Sequence, residues 1–184
     1  GFSNDAKDCQ DWVNSAYKKL GNTKFNEAVD LFDEEKYEDA IDRYNEAYKI
    51  YGYYGDRDNQ KSCKYNIDFC YKAIDADDYY DSAIDLYNEA SREESSEREY
   101  DKYTQALNYF EKAKDLYSAC GKQYKVSQCY KDIEDCRQAI AQARSNIAVD
   151  LHNRAVDLWY DHNDEAQKLL DESKEWDDSI DFKN

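Results

Sequence analysis

A chain of 184 residues with a net charge of −17, no proline and only 5 glycines has few places to make a sharp turn. That composition excludes sandwiches, barrels and many-looped α/β enzymes, and the acidic balance repels nucleic acid and anionic membranes. No apolar run approaches the roughly 20 residues that cross a bilayer, whereas an apolar fraction of 41% and 19 tyrosines can fill a core. An all-α protein is expected, with no membrane insertion and no nucleic-acid partner. In chain order, apolar spacing and turn residues predict helices near 5–20, 24–35, 37–52, 58–75, 79–96, 98–119, 122–143, 145–160 and 163–176. Gly21-Asn22-Thr23 reads as a break with a cap, and Gly55 and Gly121 as C-terminal stops of matching helices. Nothing breaks the chain between 75 and 79 or between 143 and 145. Two readings stand there: separate helices, or fusion across 58–96 and 122–160.

Repetition is the strongest signal. An aromatic residue, Ala, a branched aliphatic or Leu, a second aromatic and a second Ala recur at fixed helical spacing. The pattern runs Tyr37, Ala40, Ile41, Tyr44, Ala47; then Tyr80, Ala83, Ile84, Tyr87, Ala90; then Tyr103, Ala106, Leu107, Phe110, Ala113. Phe25, Ala28, Val29, Phe32 and Ala148, Val149, His152, Ala155 are weaker copies. Spacings of three and four put each set on one helical face, where the alanines admit a close neighbour. A second motif, a ladder, links larger units: Cys63, Ile67, Cys70, Ile74 match Cys129, Ile133, Cys136, Ile140 at one constant offset, with a first copy at Cys9, Val13, Ala16, Leu20. The order is ladder helix, first aromatic–alanine helix, second aromatic–alanine helix.

The segments Tyr37-x2-Ala40-Ile41-x2-Tyr44-x2-Ala47 and Asp78-Tyr79-Tyr80-x2-Ala83-Ile84-x2-Tyr87-x2-Ala90 resemble the second-helix signature of the tetratricopeptide repeat (TPR) family over roughly residues 24–176. The stretch 79–142 is also similar to the three-helix microtubule-interacting-and-trafficking module. The resemblance implies a TPR-like α-solenoid of antiparallel helices, in three-helix repeats of about 66 residues. It also implies a protein-binding scaffold without catalysis or cofactor. One domain over 1–184 is expected, with an N-terminal helix to 23, an array over 24–176 and a tail over 177–184. The family's peptide-carboxylate clamp needs clustered Lys, Arg and Asn, and this acidic chain gives it no such cluster.

The start Gly1-Phe2-Ser3 is what removal of a secretory signal leaves. The even set Cys9, Cys63, Cys70, Cys120, Cys129 and Cys136 admits three disulfides outside the cytosol, so an extracellular protein is expected. The competing reading makes several of them small buried residues at helix contacts. Seven residues along a helix is about 10.5 Å, beyond the roughly 4.4–6.8 Å of bridged Cα atoms. Cys63 therefore cannot pair with Cys70, nor Cys129 with Cys136. Any bridge joins different helices or different chains, with Cys9 placed for the latter.

Catalytic chemistry finds no support. His152 and His162 are the only histidines, and no phosphate loop, nucleophile elbow or His-Glu metal motif is present. His152 fills an aromatic slot and reads as a packing residue. Asp161, Asn163, Glu165 and Glu172 follow the count of a calcium loop, but Ala166 stands where that loop needs glycine.

The ends carry apolar residues without a polar cap: Phe2 and Trp12 at one, Leu169, Leu170, Trp176, Ile180 and Phe182 at the other. Unlike ends that stack head to tail build a filament. Three functions stay open: a secreted structural protein that polymerises with itself, a monomeric adaptor for a basic or amphipathic peptide, and a sugar- or calcium-binding surface protein.

Overall fold

The computed structural model describes the backbone of residues 2–178 and the side chains of residues 6–177; Ile180 and Phe182 lie outside the described residues. Six helices make up the described chain, with no strand among them: α1 (Phe2–Asp33), α2 (Tyr37–Tyr53), α3 (Arg57–Ala90), α4 (Ser96–Ala119), α5 (Gln123–Leu158) and α6 (Asn163–Asp178). Fusion is thus the arrangement found across residues 75–79 and 143–145. It also occurs where a break was expected, because α1 runs straight through Gly21-Asn22-Thr23. The physical reason is packing. A Cβ built on Gly21 would lie 2.8 Å from the Tyr51 ring, so this glycine is a point of close approach within the helix. The copies also differ in length, since the step from Cys9 to Cys63 is shorter than the step from Cys63 to Cys129.

Three helices end in the same way. Lys36 N bonds Leu31 O, Asp56 N bonds Tyr51 O, and Lys122 N bonds Tyr117 O, each at 2.9 Å. The residue before each donor is left-handed: Glu35 (φ 63°), Gly55 (φ 79°) and Gly121 (φ 80°). This is the Schellman closure, and Gly55 and Gly121 take the stop positions expected of them. Asp56 then caps α3 by accepting from Asn59 N at 3.1 Å.

The residues group into two compact units, and the dividing line falls inside α3 between Asp75 and Ala76. Unit one comprises residues 1–75 and 116–122. Here α1 and α2 form an antiparallel hairpin, because Asn22 meets Tyr51, Phe25 meets Tyr44 and Phe32 meets Tyr37. Ala28, Tyr37, Ala40, Ile41, Tyr44, Cys70, Ala73 and Cys120 form one buried cluster, and Ala47, Tyr51 and Cys63 another. The first aromatic–alanine stripe and the second ladder therefore build this core together.

Unit two comprises residues 76–115 and 123–184. Tyr80 packs edge-on to Phe110 and Tyr87 to Tyr103, which runs α3 antiparallel to α4. Ala83, Ala106, Phe110, Ile133 and Cys136 fill the space between α3, α4 and α5. The Tyr80 hydroxyl donates to Asp132 Oδ2 at 2.7 Å and accepts from Gln128 Nε2 at 2.6 Å. Burial first, then the Asp132 carboxylate, raises the Tyr80 pKa well above that of a free phenol. The Ser173 hydroxyl, buried, donates to Ala148 O at 2.7 Å and ties α6 to α5.

Candidate interaction surfaces

The cysteines come first, because they decide what holds the fold. None of the six is in a disulfide, in place of the bridges that the even count allows. Cys63, Cys70, Cys120, Cys129 and Cys136 are buried and Cys9 is exposed. Buried sulfur here takes alanine-sized slots between helices, with Cys63 beside Ala47 and Tyr51 and Cys136 beside Ala83 and Phe110. Burial pushes the thiols of Cys63, Cys70 and Cys129 up to about 11, and that of Cys136 to about 12. Such thiols are protonated at neutral pH and poorly nucleophilic.

The three ladders share a spacing of apolar residues but not an environment. Cys63 and Cys70 on α3, and Cys129, Ile133 and Cys136 on α5, are buried. The first ladder, on α1, is open. Cys9, Ala16 and Leu20 are exposed, Val13 is half-buried, and Trp12 beside them is 73% exposed. The last aromatic contact between α1 and the end of α2 is Tyr17 with Tyr53, ring centroids 5.7 Å apart. Every described residue of α1 before Tyr17 is exposed except half-buried Val13 and Asn14. The N-terminal turns of α1 thus project beyond α2 with an apolar face uncovered.

Near the C-terminus, Leu169 and Leu170 are half-buried. Trp176 sits against its own unit, its ring perpendicular to Tyr100 with centroids 5.1 Å apart and the Arg144 guanidinium 5.9 Å from its centre. Phe2 lies on the backbone of α1, outside the described side chains. The remaining face of α6 is charged, with Glu165, Lys168, Glu172 and Glu175 exposed.

Two residues differ from their expected setting. His152 is exposed, as is Val149, so this last copy of the aromatic–alanine pattern buries only its alanines, Ala148 and Ala155. A polar imidazole in the aromatic slot gains nothing from burial and turns to solvent. Asn163, Glu165 and Glu172 lie within α6, and among the described residues no three His, Cys, Asp or Glu side chains converge on a common point for a metal.

Sequence reasoning missed a groove in unit one lined by Leu31, Asp39, Asp42, Arg43, Asn45, Glu46 and Lys49. Two of its lining residues, Arg43 and Glu46, belong to an ion-pair network across the hairpin: Lys24 with Glu27 at 2.9 Å and Glu46 at 3.5 Å, Arg43 with Glu46 at 2.7 Å and Glu27 at 3.7 Å. The Arg43 hydrogen bond holds the Glu46 carboxyl below its ordinary range. Only pairing across helices reveals this network, since each helix alone shows ordinary surface charges. No helix among the described residues is long and apolar enough to cross a membrane. With the geometry set out, comparison adds no relative: no family model, no curated protein and no solved structure matches the chain.

Proposed function

We propose that this chain is a non-enzymatic protein–protein interaction scaffold, a TPR-like helical-repeat protein that associates with further copies of itself. One observation carries the reading. The apolar ladder that is covered on α3 and on α5 stands open on α1, with Trp12 exposed beside it. Large aromatic side chains displayed on a rigid helix are the usual anchors of protein interfaces. Assembly in series gives the head-to-tail filament, and assembly in closed pairs gives a dimer. Light scattering of the purified chain at rising concentration tests the reading. The expected result is a mass that climbs above 21.8 kDa; a mass that stays at the monomer value throughout overturns it.

A second reading, the monomeric adaptor, is favoured by the groove between α1 and α2. Arg43 is already engaged by Glu46 and Glu27, which leaves Asp39 and Asp42 against the single cation of Lys49, so the groove keeps an acidic excess. A basic peptide fits that sign. Binding of an Arg/Lys-rich helical peptide that weakens with salt, and is lost in the double substitution D39N/D42N, supports the adaptor. Binding that ignores both removes it.

A further inference from the structure

The open ladder of α1 has a pattern of its own. At 100° per residue, Cys9, Trp12, Val13, Ala16 and Leu20 occupy one face of the helix, and Asp8 and Lys19 lie together along the edge beside Trp12. Trp12 is the largest side chain on the face and Ala16, one turn on, is the smallest. The stretch 6–20 holds Asp8 and Asp11 against Lys7, Lys18 and Lys19, so it escapes the acidity of a chain of net charge −17. Two copies that repel elsewhere do not repel here.

Reversing one such helix on another about residue 14 brings these features into register to within half a residue. Trp12 then falls over Ala16 of the second copy, Cys9 over Leu20, and Asp8 beside Lys19. Flanking edges of the same kind meet in an antiparallel pair, so each copy contributes one Asp8 and one Lys19 to two equivalent ion pairs. The face is self-complementary, as an isologous interface requires.

The other end of the chain does not offer the same fit. Ala40 and Ala106 stand one ladder offset apart in α2 and α4, fully buried in the clusters that hold Cys70, and Ile133 with Cys136, respectively. The same step from Ala106 reaches Glu172 on α6, which is exposed. A ladder docked on α6 meets a carboxylate where the other two meet an alanine, and burying that charge without a partner is costly. The outer face of α6 has the polarity of a cap.

On the self-association reading above, we infer that two copies of this chain form a closed dimer through the N-terminal ladders of α1, antiparallel about a two-fold axis. In it, Trp12 packs on Ala16 of the second copy and Asp8 pairs with its Lys19. Sedimentation of the full chain under reducing conditions, over a wide concentration range, tests both the arrangement and the reading beneath it. The expected behaviour is a monomer–dimer equilibrium with nothing larger. Trp12→Ala is expected to weaken the dimer tenfold or more. D8K and K19D each set like charges opposite one another and weaken it, whereas an equimolar mixture of the two single variants restores it as a heterodimer. These side chains are exposed, so helical circular dichroism, and the melting temperature taken at a concentration where the parent is monomeric, stay at the parent values. Particles that grow beyond the dimer overturn the pairing but keep self-association. A dimer indifferent to Trp12→Ala and to the charge exchange also overturns the pairing. A monomer at every concentration overturns both.

Discussion

The ammonium of Lys122 reaches back to donate a hydrogen bond to the carbonyl of Phe32 at 2.7 Å, across most of the length of unit one's sequence. The lysine is 7% exposed, and its nitrogen stands 4.3 Å from the centre of the Phe32 ring and 5.4 Å from that of Tyr37. A cation at the last turn of α1 meets the negative end of the helix dipole, so hydrogen bond, ring faces and dipole act together.

Replacing Lys122 by methionine keeps most of the apolar stem and removes the charge. We expect a loss of about 1.5–3 kcal/mol, the scale of a hydrogen bond to a charged group within the fold. Urea denaturation at pH 7 measures it. An unchanged midpoint contradicts the role assigned to this lysine.

The three Schellman closures predict opposite signs for similar substitutions. Gly55→Ala and Gly121→Ala force a Cβ into left-handed backbone and should each destabilise by about 1 kcal/mol, although nothing lies within 4 Å of the added carbon. Glu35→Gly relieves the same strain and should stabilise by about 0.5–1 kcal/mol. Gly21→Ala acts by a different route, pressing on the Tyr51 ring, and should cost about 1–3 kcal/mol. Thermal melts of the four variants separate conformational strain from overpacking.

Thiol reactivity should divide one against five. At a concentration where the chain is monomeric, a colorimetric thiol reagent at pH 8 should label Cys9 rapidly and the five buried cysteines only as fast as the chain opens. In denaturant without reductant all six should react. A count below six there would show that bridges form.

Alkaline pH should unfold the protein in a defined window. Burial pushes Tyr51 and Tyr54 up to about 12, from an ordinary value of 10.0, and four buried thiols up to about 11–12 from 9.0. Each folded group holds its proton more tightly than the unfolded one. The stabilisation is therefore complete below pH 9 and lost as the pH rises towards 12. Circular dichroism at a fixed sub-denaturing urea concentration should show helix lost between those limits, with proton release on unfolding. A flat response up to pH 12 contradicts the assignment.

Much of the core can be read directly from the sequence. Tyr37, Ala40, Ile41, Tyr44 and Ala47 stand out by spacing alone, and all are buried on α2. The role of Gly21 does not, because a glycine needed for the approach of a ring on the next helix looks the same in sequence as a glycine that ends a helix. Asp8 and Lys19 carry no signal because a single exposed charge has no periodicity. Their relation appears only once the face between them is known to be open. Lys122 is hidden for the opposite reason: a lysine after a turn glycine reads as surface, and only the tertiary contact with Phe32 takes it inside.

The connections between helices are short. Residues 34–36 join α1 to α2, 54–56 join α2 to α3, 91–95 join α3 to α4, 120–122 join α4 to α5, and 159–162 join α5 to α6. Consecutive helices can therefore find one another with little loop-closure entropy, and partners such as Phe32 with Tyr37, or Tyr87 with Tyr103, are near neighbours along the chain. Topologies dominated by such local pairings cross their folding barrier quickly, in microseconds to milliseconds. Newly made chain can thus fold its hairpins as they emerge, before the exposed face of α1 has time to meet another copy.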